Sequence, residues 1–144
     1  MDRRQFLEYV DHFNNKRYDK VVSYFAPDIT VEYFDNPQSS GQGSMGTLHG
    51  PDEFIANYKS LHANTDEVLE LRDFMVNGDL VFAELYTEFY TFQDTPSSSA
   101  WKRKKGDITV QTNWVLYNMA GDKMKRIRIA HFRNQDPKTA KFFN

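Results

Sequence analysis

Apolar side chains return every three or four residues at the start of the chain, at Phe6, Val10 and Phe13 with Tyr9 on the flank, the spacing of one helical face. Asp2, followed three residues later by Gln5, has the form of a capping box. After Asn14-Asn15 the pattern repeats in Tyr18, Val21, Val22 and Phe25, predicting a second helix that runs until Pro27, whose missing N–H and fixed φ end it. The period then changes to two. Ile29, Val31 and Tyr33 alternate with Thr30, Glu32 and Phe34, which predicts a strand that dissolves into the Gly- and Ser-rich stretch from Asp35 to Gly46. Pro51 reads as the first residue of a third helix, with Asp52 and Glu53 at its positive end and Phe54, Ile55, Tyr58 and Leu61 as its buried stripe.

Beyond Asn64 the pattern predicts four long strands, about 66 to 76, 80 to 92, 107 to 119 and 123 to 133. Asn77-Gly78-Asp79 and Ala120-Gly121-Asp122 supply tight turns within the first and last pairs. The middle connection, Gln93 to Gly106, is longer, holds Pro96 and is a candidate lid. In the strand from 80 to 92 the smaller set, Val81, Ala83, Leu85 and Thr87, is expected to face inward. Phe82, Glu84, Tyr86, Glu88 and Tyr90 would then form a convex outer face through which two copies are expected to pair as a homodimer. In the strand from 107 to 119 periodicity leaves both parities open. If Val110, Thr112, Trp114 and Leu116 face in, Trp114 is a stacking wall; if Gln111, Asn113, Val115 and Tyr117 do, Asn113 is an amide that orients a carbonyl.

Composition narrows the function classes. A chain of 144 residues is one domain, spanning 1–144, and at that size folding buries roughly 70% of the unfolded surface. Twelve Phe, 8 Tyr and 2 Trp are more flat aromatic surface than such a core needs, which suits a cavity for an apolar small molecule. The chain has no cysteine, which removes disulfides, thiolate metal sites and a cysteine nucleophile. Its net charge of −2 argues against nucleic acid, and the basic run Lys102-Arg103-Lys104-Lys105 reads as a solvated loop. With no apolar run of signal or membrane-span length, a cytoplasmic protein without a membrane partner is expected. No phosphate-binding glycine pattern, metal-ligand spacing or nucleotide fingerprint is present, so chemistry without a cofactor or metal is expected.

Helix, helix, strand, helix and a four-strand meander is the order of elements in the nuclear transport factor two-like fold. The run Tyr9-Val10 through Asn14, then Val21-Val22 to Phe25-Ala26 and Asp28-Ile29-Thr30-Val31-Glu32, resembles the start of bacterial ketosteroid isomerases. Gly121-Asp122-Lys123-Met124 with Arg126-Ile127-Arg128-Ile129 resembles the last strand of SnoaL-like polyketide cyclases. The resemblance implies an α+β fold in which a strongly curved antiparallel sheet, packed on three helices, makes a cone-shaped barrel. It also implies that Tyr9 donates a hydrogen bond to a substrate oxygen. The isomerases' basic aspartate does not carry over, since Tyr33 stands there with Asp35 two residues on, and their protonated aspartate aligns near Trp114. The histidine pair of scytalone dehydratase and the Asp-Arg-Asp set of epoxide hydrolases are not reproduced.

His131 shares strand parity with Ile127 and Ile129, which points it into the cone, and a histidine with a pKa of about 6.5 can take and return a proton at neutral pH. The alternative is a packed histidine satisfied by a backbone carbonyl. Asp35 either lines the pocket rim as a second proton-transfer group or ends its strand as a turn residue. Tyr33, Tyr58, Asn113, Trp114, Phe25 and His49 are the candidate substrate-binding residues, His49 being also simply a loop residue before the third helix. Together these predict an isomerase or cyclase of secondary metabolism acting by acid/base proton transfer on a polyketide-like or terpenoid-like carbonyl compound. The rival readings are a non-catalytic socket for a ligand or a protein, and a dehydratase or hydrolase.

Overall fold

Helix α1 (Arg3–Asn14) begins at the expected capping box, with the Asp2 carboxylate accepting from the Gln5 N–H at 2.8 Å and the Gln5 side chain accepting from the Asp2 N–H at 2.9 Å. Its helical spacing puts Phe6, Tyr9, Val10 and Phe13 on one buried face, where Phe6 meets Tyr117 edge-on at 5.3 Å and Phe74 at 5.4 Å. The computed structural model describes residues 1–34, 46–99 and 101–144.

Helix α2 (Tyr18–Val22) is shorter than the pattern predicts. The Tyr24 carbonyl accepts from the Met124 N–H at 2.7 Å, and Phe25 pairs with Met124, so the chain is already strand at Phe25. Pro27 therefore ends no helix. It lies inside strand β1 (Phe25–Phe34), between Phe25 and Thr30 where the pairing is interrupted, and its missing N–H costs no ladder bond there. A short strand absent from the pattern reading, β2 (Gly46–His49), pairs antiparallel with β1 from Thr30↔His49 to Tyr33↔Gly46. Helix α3 (Gly50–His62) follows, with Pro51 in its first turn and Asp52 and Glu53 at its positive end.

The four long strands are β3 (Thr65–Asn77), β4 (Leu80–Thr91), β5 (Ile108–Ala120) and β6 (Lys123–Gln135). Gly78 and Gly121 adopt φ of 60° and 63°, which two-residue hairpin turns require and side chains resist. The six strands run in the order β2-β1-β6-β5-β4-β3. All neighbours are antiparallel except β1 and β6, which are parallel, so the expected all-antiparallel sheet is mostly, not wholly, antiparallel. Irregular pairings at Leu71/Phe74, Thr112/Asn113 and Asn118/Met119 interrupt the regular ladders, and with β2 and β3 as edges the sheet is open rather than a closed barrel.

The inner face of β4 is the expected set, with Val81, Ala83, Leu85 and Thr87 all buried. The outer face is partly covered by the chain itself. The segment after β6 folds over it, burying Ala140 against Tyr86 and Val110 and stacking Phe143 on Tyr90 at 5.7 Å. No helix among the described residues is long and apolar enough to cross a membrane.

Candidate functional site

The helices and the inner face of the sheet enclose a cavity of about 710 Å³, a size that holds a drug-sized ligand. Phe13, Phe54, Leu85 and Val115 make its walls apolar, and four phenols, Tyr9, Tyr33, Tyr58 and Tyr117, come together on its lining. The Tyr33 and Tyr58 hydroxyls are 2.7 Å apart. Burial pushes all four hydroxyls well above the ordinary phenol range, so each stays protonated at neutral pH and is available as a donor. Tyr9 comes from α1, Tyr58 from α3, Tyr33 from β1 and Tyr117 from β5, so the cluster exists only in the folded chain.

Strand β6 carries Ile127, Ile129 and His131 along the cavity wall. Asn113 is the β5 partner of His131, and it lines the cavity with Gln111, Val115 and Tyr117 of the same strand parity. The Asn113 Nδ2 donates to Thr87 Oγ1 at 3.1 Å, while Asn113 Oδ1 and Gln111 Oε1 are buried without a partner among the described residues. Both parities of β5 were compatible with its apolar pattern, and this geometry decides between them.

Three expected ligand contacts are corrected. Trp114 points to the outer face, is exposed, stacks on Phe132 at 3.9 Å and donates to Glu84 Oε1 at 2.8 Å, so it is not a wall of the cavity. Phe25 belongs to the core, edge-on to Phe54 at 4.8 Å, and does not line the cavity because the chain there is already β1. His49 ends β2 with an exposed side chain 3.9 Å from Glu53, outside the cavity lining. Asp35 lies outside the described residues.

Other residues line the cavity without having been singled out. Glu67, on β3, is buried in the wall, and its Oε1 lies 2.9 Å from His62 Nε2, at the end of α3. The other ring nitrogen of His62 is 2.6 Å from the Tyr18 hydroxyl. A signal was present, because Glu67 shares strand parity with Leu69 and Leu71. Arg103 reverses the reading of the basic run. Its neighbours Lys102, Lys104 and Lys105 are exposed, but Arg103 turns inward to 8% exposure, donates to Thr65 Oγ1 at 2.6 Å and lies 3.7 Å over the Trp101 ring. Burial lowers its pKa, against the pull of Glu67 and Asp107. Among the described residues no cluster of three or more His, Cys, Asp or Glu side chains is placed to hold a metal ion.

Residues 6–127 match the family model of the SnoaL-like domain. No curated protein sequence matches the chain. Among solved structures, a provisionally named polyketide cyclase from Xanthomonas campestris is 17% identical, with a TM-score of 0.66 over 85% of this chain and 84% of that one. A provisionally named ketosteroid isomerase from Kribbella flavida is 13% identical, with a TM-score of 0.62 over 97% and 84%. An epoxide hydrolase from M. tuberculosis is 9% identical, with a TM-score of 0.63 over 89% and 80%. At these identities the likeness establishes the fold, on which different chemistries are built.

Proposed function

Since the chain belongs to the SnoaL-like family, we propose that its cavity is the active site of an isomerase or cyclase. It moves a proton, without cofactor, on an apolar carbonyl compound of polyketide-like or terpenoid-like character. The observation that carries this reading is the presence of His131 and a cluster of neutral phenols on the wall of one largely apolar cavity. Isomerisation and cyclisation next to a carbonyl need a base, a donor to the developing oxyanion and exclusion of water. His131 takes and returns the proton. Tyr9 and the Tyr33–Tyr58 pair donate to the substrate oxygen, and a hydrogen bond made among apolar side chains is electrostatically stronger than one in water. Asn113, beside His131, orients the substrate. The exposed outer aromatics Trp114 and Phe132, with Phe82 beside them, are in this reading the face on which a second copy docks.

The test is incubation of the purified protein, in D₂O and without added cofactor, with an extract of the cells that make it. One apolar ketone or enone is expected to gain deuterium or change into an isomer, and His131→Asn is expected to slow that change by about 10²- to 10⁴-fold. Binding of a compound that is never changed, or a partner protein retained instead, would make the cavity a socket and remove the proton-transfer roles.

A further inference from the structure

The cavity holds a second group able to take a proton. Glu67 faces it from β3, and the only hydrogen bond to its carboxylate from the described residues comes from His62 Nε2 at 2.9 Å. An ionised carboxylate accepts about four such bonds, so most of its accepting capacity is unfilled by the described residues. His62 is held at both nitrogens, by Glu67 on one side and by the Tyr18 hydroxyl at 2.6 Å on the other, and its ring lies stacked on Tyr18 and edge-on to Phe13. Burial, then the charge of Glu67, raises the Tyr18 pKa, so that hydroxyl keeps its proton and can either donate to or accept from Nδ1. Through a proton on Nε2 the ring donates to the Glu67 carboxylate at 2.9 Å. Arg103 faces the same cavity and feels the charge of Glu67, and its buried Nε has no partner among the described residues. A base and an unoccupied cationic donor thus share one wall.

We propose that Glu67 is a general base of the cavity, with His62 as its positioning residue and Arg103 facing the negative charge that develops on the substrate. The substrate class that follows is an apolar carbon acid whose released electron pair ends on an oxygen. The proposal rests on the cavity being a proton-transfer site, and the test separates the two.

The probe is 5-nitrobenzisoxazole, a small apolar carbon acid that fits a cavity of about 710 Å³. The base takes the proton on C3, the C–H electron pair closes the nitrile, the N–O bond breaks and the charge leaves on the phenolate oxygen, seen as coloured 2-cyano-4-nitrophenolate. The wild type is expected to accelerate this elimination, and Glu67→Gln, which can still accept from His62, to lower kcat/KM by about 10²-fold or more at an unchanged melting temperature. Glu67→Ala is expected to regain rate as acetate is added, a response that a merely structural carboxylate would not produce. His62→Gln is expected to lower kcat by about tenfold while KM stays constant. Retention of the wild-type rate by Glu67→Gln, with loss of that rate in His131→Asn, would overturn the assignment of Glu67 and leave the cavity reading standing. Absence of any acceleration by the wild type would overturn both.

Discussion

Two buried glutamates lie on opposite faces of the same sheet. Glu88, on the outer face of β4, is fully buried, and its Oε2 accepts from the Tyr86 hydroxyl at 2.5 Å and the Lys141 N–H at 2.8 Å. Its Oε1 accepts from the Phe142 and Phe143 N–H groups at 3.0 and 3.2 Å. Burial opposes its ionisation, but the bonds from Tyr86 and the three backbone N–H groups outweigh that and hold its pKa below the usual carboxylate range. Glu67, on the inner face, has His62 and the open cavity. Glu88 has its accepting capacity spent on the chain's own C-terminal segment, and nothing is left for a ligand. Its neighbours make a clasp, in which Lys141 Nζ also reaches Glu70 at 2.6 Å and the Arg72 guanidinium lies 4.5 Å over Tyr86. Burial is common to the two carboxylates; what separates them is the unfilled share of the hydrogen bonds of Glu67.

The largest expected effect that tests this contrast is on stability. Glu88→Gln loses charge-assisted bonds and sets an amide N–H₂ against backbone donors, which should cost roughly 3 kcal/mol in denaturant unfolding and leave turnover per folded molecule unchanged. The pH dependence has a definite sign. The folded-state pKa of Glu88 lies below its ordinary value of 4.5, so its contribution is complete above that value and is lost as pH falls through the folded pKa. Acid unfolding of Glu88→Gln should accordingly be shallower in that range than acid unfolding of the wild type. A Glu88→Gln protein as stable as its parent would mean that the clasp contributes nothing.

A smaller effect is expected inside the cavity. Tyr33→Phe removes one partner of the Tyr33–Tyr58 bond and should cost about 1 kcal/mol in stability, while weakening retention of carbonyl ligands more than that of hydrocarbons of the same shape in calorimetric titrations. The smallest is expected on the outer aromatic patch. Trp114→Ser should change folding stability by less than about 1 kcal/mol, because the ring is already exposed, and leave ligand binding alone. Its effect should appear in sedimentation instead, as a shift toward monomer; an unchanged association state would remove the patch from the dimer face.

Local patterns made the long strands and both hairpin turns legible, because alternation and the Gly78 and Gly121 turns are properties of a few neighbouring residues. The sides of β5 were not legible. The C-terminal segment buries Val110 from outside while the cavity buries Val115 and Tyr117 from inside, so neither face looks exposed in one dimension. The end of α2 was misread for a related reason, since Pro27 stops a helix or sits in an interrupted strand equally well until Met124 arrives to pair with Phe25. Glu67 could have been found from its parity with Leu69 and Leu71. Arg103 could not, because nothing local separates it from the lysines beside it.

By itself, the amino-acid sequence determined the order of the helices and the long strands, the buried face of α1, the inward set of β4 and the absence of thiol chemistry. All of these depend on periodicity and residue type over a short stretch. Only the tertiary structure decided which buried polar groups confront the cavity and which are satisfied elsewhere. That depends on partners far apart in the chain, such as Thr65 meeting Arg103 and Glu88 meeting Lys141, Phe142 and Phe143, and a hydrogen bond across such distances leaves no local trace.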